Sequence, residues 1–477
     1  MQSVDQAHHS ASSVDLVQRL WTAVNGGPSA PVDVRFSGPE GFLPSVFDVT
    51  GFASATVAVA TSAVAELLAA REGDTVRPVT VDRRAASAAF GSEALFTPTG
   101  WHLPALWDPI AGNYRSADGW IRLHTNYRYH REAVERVLGL TGRDAADRAD
   151  VTAAVAGWPG DELEAAVVRA GGCAAVQRDR AAWLGTEAGA ASAAEPLLRI
   201  ERRPTAGADW PPGGPDPRGP LAGLRVLDLT RVIAGPVATG FLAAYGAAVL
   251  RVDPPSFAEV PALLPVTSAG KRCTALDLRA AADRAAFAEL VAGADVLVCG
   301  LRPGALDRLG YPDEALRALN PDLITARLDA YGWSGPWVTR RGFDSLAQLS
   351  CGISAAGAAA SGQDAPRPLP AQALDHGTGY LLAAAIVRAV QRLATEGETS
   401  SITGSLVGTA NVLIGLPTPD GLTAPAPAFT PADTEPVETA WGPARSVPVP
   451  GTIDGVATHR PEIAGLLGRH APSWTPR

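Results

Sequence analysis

The sequence predicts an α/β fold, a Rossmann-like parallel-sheet domain joined to a smaller α+β domain. Three observations carry that expectation. In the second half, apolar runs of five to six residues alternate with helical stretches, the signature of parallel strands covered on both faces. In the first half, two short alternating segments flank an Asp-Gly pair, the strongest short hairpin signal. Between the halves, 204–220 reads PTAGADWPPGGPDPRGP, which fits neither a helix nor a central strand.

Taken in chain order, 1–99 is expected to be a helical segment, with a degenerate repeat of the Rossmann half as a second reading. Its stretch 53–70 holds no charge except Glu66 and approaches the length of a membrane-spanning helix. It is mostly Ala, Val, Ser and Thr between polar loops, so it reads as a buried helix of a soluble protein. Residues 100–203 form the small α+β domain. Its hairpin lies over 114–124 (YRSADGWIRLH), its helices near 131–138 and 161–170, and a strand at 173–176. A Pro/Gly-rich linker follows at 204–218. In the Rossmann-like domain, 219–405, strands are expected at 225–229, 248–252, 295–299 and 323–328, and helices at 236–244, 280–292 and 312–319. The remainder, 406–477, is a Pro-rich extension that reads as extended loop over 416–450 and as mostly irregular beyond.

A faint repeat crosses these units. Thr50-Gly51-Phe52 opens an Ala/Val-rich helix ending near Gly73, and Thr378-Gly379-Tyr380 opens another ending near Gly397, with Asp48 and Asp375 upstream. Either duplication or shared composition accounts for it. Asp48 itself reads as a helix cap.

Composition excludes several function classes. Of 477 residues, 46% are hydrophobic and 19% charged, which is globular and not disordered. A net charge of −9 repels nucleic acid and anionic membranes, so neither is expected as a partner. Cys173, Cys273, Cys299 and Cys351 show no C-x-x-C spacing, hence no disulfide framework and no metal site. With no signal-peptide pattern in the first fourteen residues, a reducing cytoplasm is the expected location.

Three clusters could carry chemistry. The turn Thr230 to Pro236 follows the first strand, where α/β sheets bind ligands, yet it lacks G-x-G-x-x-G, which argues against a nicotinamide cofactor. Arg231, Lys271, Arg272, Arg302 and Arg308 lie near strand ends and could pair with phosphates, although each alone reads equally as a solvated charge. The third is Gln372 to Gly379 ahead of an apolar helix. Asp375 there reads as a cap, and a helix N-terminus favouring its ionised form beside flexible glycines would also suit a covalent nucleophile.

GPLAGLRVLDLTRVIAGPVAT, GKRCTALDL, ADVLVCGLRPGALDRLG, LNPDLITARL, YGWSGPW, RGFDSLAQLSCG and ALDHGTG follow one another over 219–395. In order and spacing they resemble the family III CoA-transferases of the CaiB/BaiF type, and 112–204 resembles that family's small domain. The resemblance implies an enzyme that moves coenzyme A between an acyl-CoA and a carboxylic acid. Asp375 would be the nucleophile, passing through a mixed anhydride and an aspartyl-CoA thioester. It implies Arg231, Ala234, Lys271, Arg272, Arg302 and Arg308 as the CoA-binding residues, CoA and acyl-CoA as substrates without a tightly bound cofactor, and a homodimer. The small domain here precedes the Rossmann part, so the chain looks permuted or built from two incomplete copies. Ile233 stands where formyl-CoA transferases carry a Gln, and no glycine-rich covering loop is evident, which disfavours a formyl or oxalyl substrate. The alternatives are an acyl-CoA racemase or isomerase of the same superfamily and a non-catalytic CoA-binding paralogue. Phe343 fills the position of a racemase acid/base His, leaving His376 as the substitute.

Overall fold

A computed structural model describes residues 2–27, 33–142, 146–205, 216–417 and 428–475. The linker expectation therefore falls largely outside the described residues at 206–215, as does the Pro-rich run at 418–427.

The N-terminal part is a small βαβ unit. The strand Val34–Ser37 pairs in parallel with Val79–Asp82, and between them runs α1 (Val49–Glu72). Asp48 caps α1 by accepting a hydrogen bond from Gly51 N, and Gly73 in the left-handed conformation ends it. α1 is the one helix among the described residues long and apolar enough to cross a membrane, but it lies almost wholly within the protein core. Next comes α2 (Arg83–Phe90), capped by Asp82. A three-stranded antiparallel sheet at 112–115, 120–123 and 174–176 follows, with the Asp-Gly turn joining its first two strands, and helices pack on it.

The chain then enters a seven-stranded sheet. Its strands are β1 (Leu198–Pro204), β2 (Arg225–Leu229), β3 (Ala248–Asp253), β4 (Arg272–Ala275), β5 (Val296–Cys299), β6 (Ile324–Asp329) and β7 (Glu398–Ser405). They lie in the order β4-β3-β2-β5-β6-β7-β1, parallel except for β1, which runs antiparallel to β7. Central strands such as VLVC in β5 are buried throughout, as a sheet covered on both faces requires. Because β3 and β5 flank β2, the connections reverse there. The crevice beyond the carboxyl ends of β2 and β5 is thus the topological switch point, where such sheets bind ligands.

Three helices frame that crevice: α3 (Ala234–Ala244) after β2, α4 (Asp344–Ser350), and α5 (Ala373–Glu396) before β7. α5 packs against both α3 and α1, and the closeness is set by two glycines. A Cβ on Gly379 would sit 2.6 Å from the Ala234 carbonyl, and one on Gly377 would sit 2.4 Å from the Phe52 ring. The glycines of ALDHGTG therefore serve helix packing rather than flexibility, contrary to the sequence expectation. One continuous apolar core runs through α1, α3, α5 and the sheet, so residues from both halves of the chain share it.

The extension after α5 and β7 is more regular than expected. Glu435–Thr439 and Gly442–Ser446 form a hairpin that pairs with Thr97–Pro98, and Thr452–Ile453 adds to the N-terminal sheet. Further on, Trp474 packs against the core beside β2 and donates to the Leu290 carbonyl.

Candidate active site

The turn after β2 carries a non-glycine residue in the left-handed region, Val232 at φ 65°. A β-branched residue in that region is strained, so surrounding contacts must hold it there. Glu259, fully buried, does so by accepting a hydrogen bond from Val232 N at 3.2 Å. The same carboxylate accepts from Tyr127 Oη at 2.7 Å and pairs with Arg251 at 2.9 Å. Arg251 also pairs with Asp253 at 2.7 Å. This buried network ties the small domain, through Tyr127, to the turn that starts α3.

Asp375 lies in the first turn of α5 but does not cap it. The cap comes from another element: Asp344 Oδ2 accepts from Leu374 N at 2.8 Å and Asp375 N at 3.0 Å, and Gln348 donates to Oδ1. The Asp375 carboxylate, 6% exposed, accepts no hydrogen bond among the described residues. Burial, then repulsion from Asp344 and Glu93, pushes its pKa well above the usual carboxylate range. Asp344 rises to about 6, chiefly by burial, which its backbone donors only partly offset. The expectation that the helix N-terminus keeps Asp375 ionised is thus corrected, because the neighbouring carboxylate takes the amide donors and desolvation outweighs the dipole.

Asp375 sits where two cavities meet. One, of about 330 Å³, opens at the switch point and is lined by Arg231, Ala234, Arg302, Arg341, Tyr129 and His130 among others. Arg302 makes no ion pair among the described residues, and besides burial the nearby charges of Arg341 and Arg308 depress its pKa. Cations crowded without counter-ions suit a polyanionic ligand. Arg231 lies over the Phe257 ring at 3.5 Å and pairs with Asp253 at 3.5 Å, leaving it part-exposed to the cavity. The other cavity, of about 170 Å³, is apolar and lies between the small domain and α4.

Of the six residues carried over for CoA, Arg231, Ala234 and Arg302 line the larger cavity, and Arg308 is exposed beside Arg302. Two do not join them. Lys271 is fully buried, with Nζ 3.1 Å from Asp228 and 3.0 Å from the Pro236 carbonyl, so its charge is spent inside the fold. Arg272 opens β4 at the amino end of the sheet, and its guanidinium donates to the Ser473 and Ala471 carbonyls of the tail. In a parallel sheet that is the end opposite Arg231 and Arg302.

His376 lines neither of these two cavities. Its Nε2 is 2.9 Å from Glu93, and its ring stacks on Phe90 at 5.2 Å. The residues that sequence reasoning missed as parts of the site are Glu93, Trp107, His124, Tyr127 and Glu259, and it took Asp344 only as part of a motif. All but Asp344 come from the first half or from loops, and only tertiary packing brings them here. Phe343 lies flat on His124, ring centroids 3.7 Å apart.

Residues 221–440 match the family model of CoA-transferase family III. The acetyl-coenzyme A transferase nodX of Hypoxylon pulicicidum is 37% identical over 195 residues, covering 39% of this chain and 33% of that protein. The acetyl-CoA:oxalate CoA-transferase of Acetobacter aceti is 36% identical over 148 residues, covering 29% and 38%. A crystal structure of Rv3272 from Mycobacterium tuberculosis aligns over 42% of this chain and 56% of that one, with 32% identity and a TM-score of 0.38. The chain spans half or less of the length of these curated relatives. The family-model match covers the β2–β7 strands and Asp375 and spans just under half of the chain.

Proposed function

We propose that the protein is a CoA-transferase that exchanges coenzyme A between an acyl-CoA and a carboxylic acid, with Asp375 as the covalent nucleophile. The observation that carries this reading is the position of Asp375, its oxygens free of hydrogen bonds, at the junction of a basic and an apolar cavity. The basic cavity takes the CoA portion, with Arg231 and Arg302 facing its phosphates. The apolar one takes the acyl group, so the thioester carbon lies over Asp375.

Carboxylate oxygen then attacks that carbon, the C–S bond breaks, and CoA leaves as thiolate with an acyl-aspartyl anhydride behind it. The thiolate attacks Asp375 Cγ, releasing the acyl group as a carboxylate and forming an aspartyl-CoA thioester. An acceptor carboxylate reverses the sequence. Each step exchanges one anionic leaving group for another, and the burial of Asp375, 6% exposed, limits the access of water to the anhydride. Asp375 must ionise first, against its burial and the repulsion of Asp344 and Glu93. A cytoplasmic setting and a homodimer belong to the same proposal, supported by four free, buried cysteines and by family resemblance respectively.

Initial-rate kinetics with acyl-CoA and acid varied together test the proposal. Parallel double-reciprocal lines, and loss of at least ~10³-fold in kcat for Asp375→Asn with the fold intact, are expected. Unchanged turnover in that variant would sink it. The racemase reading needs two proton-transferring groups at the substrate. Phe343 cannot serve, His376 lines neither cavity, and burial holds His124, the imidazole in the acyl cavity, well below its ordinary pKa. Absence of solvent deuterium at the acyl α-carbon after incubation distinguishes the two.

A further inference from the structure

The acyl cavity carries a more specific message. It is walled by Phe90, Trp107, Ile233, Val260, Leu263 and Phe343. Among the described residues no Lys or Arg lines it, and its ionisable groups are Glu93, Asp344 and Asp375 together with His124 and Tyr127. Burial, then His130, holds the His124 imidazole neutral, and burial and Glu259 keep the Tyr127 phenol protonated. A second carboxylate on an acyl group would therefore enter an apolar space facing three carboxyls with no Lys or Arg among its lining residues, at a desolvation cost that the walls do not offset. A neutral hydrocarbon meets aromatic and branched walls instead.

Resting on the transferase reading above, we infer that the acyl substrates are neutral, apolar monocarboxylates and not dicarboxylates such as oxalate, succinate or malate. The size follows from the volume. About 170 Å³ is slightly more than the ~150 Å³ of an apolar cavity that accepts benzene. The site thus accommodates up to about six carbons, whether straight, branched or aromatic. Trp107, at the rim, is 37% exposed, and the Arg122 guanidinium lies over its outer ring face at 5.0 Å. Arg122 itself is not among the residues that line the cavity.

The test pairs a turnover panel with a binding panel. With acetyl-CoA as donor, kcat/KM for butanoate, hexanoate and benzoate is expected to exceed that for succinate and oxalate by at least ~10-fold, rising by roughly fourfold per added methylene until the cavity is full. Equal or better use of succinate or oxalate overturns the inference while leaving the transferase reading in place. Binding is measured on Asp375→Asn by intrinsic tryptophan fluorescence, so that it does not depend on turnover. Hexanoyl-CoA is expected to bind at least ~10-fold more tightly than succinyl-CoA. If no acid is turned over yet that preference holds, the transferase reading fails and the assignment of the cavity stands. Equal binding overturns the assignment. Trp107→Arg, at the exposed rim, should narrow the gap between the two acyl-CoAs, and an unchanged gap counts against the cavity as the acyl site.

Discussion

At the scale of single residues, the site concentrates negative charge where ordinary packing would avoid it. Asp344 and Asp375 are both buried, with a hydrogen bond from the main chain of one to the carboxylate of the other, and both are shifted upward. Carboxyls whose folded pKa exceeds the unfolded ~3.9 bind more protons when folded, so their contribution to stability is present at low pH and is lost as pH rises through the folded values. For this pair the window opens near pH 4 and extends through about 6 and beyond. Asp375→Asn should therefore be more stable than the parent at pH 8, with the two curves converging toward pH 4. Urea unfolding at both pH values measures it, and a variant less stable than the parent at pH 8 would contradict the assignment. The same repulsion sets the acid limb of activity. Asp344→Asn keeps an acceptor for the α5 amides and removes a charge, so the limb of kcat/KM should move to lower pH. An unmoved limb would mean that another group controls it.

At the scale of elements, α5 is positioned by what it lacks. Gly→Ala inside a helix ordinarily gains ~0.5–1 kcal/mol. At Gly377 and Gly379 the added Cβ meets the Phe52 ring and the Ala234 carbonyl at 2.4 and 2.6 Å, so overpacking wins. Gly379→Ala should destabilise by ~1–3 kcal/mol in denaturant unfolding and lower kcat by displacing α3 and its N-terminal turn. A neutral or stabilised variant would show that the contact is not tight. Element order in the second half was legible because its strands are short apolar runs. The segment 225–229 was read with its observed bounds, and β3, β5 and β6 to within a residue at either end, whereas β7 was not among the expected strands. β1 was missed because LRIERRP is mostly charged, as befits an edge strand paired on one side only. The parallel pair 34–37 and 79–82 was missed for a related reason, since four-residue strands separated by a long helix leave no local signal. Asp375 stood out through its motif. The role of Asp344 did not, because a cap supplied from another element has no sequence spacing to betray it.

At the scale of the whole molecule, the chain encloses one site with both of its halves. Helices α1 and α5 have the same length, 24 residues, and each ends at a left-handed glycine, Gly73 or Gly397. A strand and a further helix follow each of them. Aligned on those glycines, Gly51 falls opposite Asp375, so α1 carries no carboxylate at the position that Asp375 holds in α5. What the first half supplies instead is one wall of the apolar cavity, through Phe90, Glu93, Trp107 and His124. This geometry needs no second chain to complete the site. Activity per chain should stay constant on dilution across the range where any dimer dissociates, and a fall in specific activity would show that a neighbouring chain contributes.

The central claim is that Asp375 becomes covalently bound to CoA during exchange. The protein should be mixed with hexanoyl-CoA, treated at once with borohydride, digested, and the peptide spanning 373–388 sequenced by mass spectrometry. Homoserine at position 375, absent without acyl-CoA and absent in Asp375→Asn, is the predicted result. An unmodified Asp375 in a preparation that transfers CoA at full rate would contradict it.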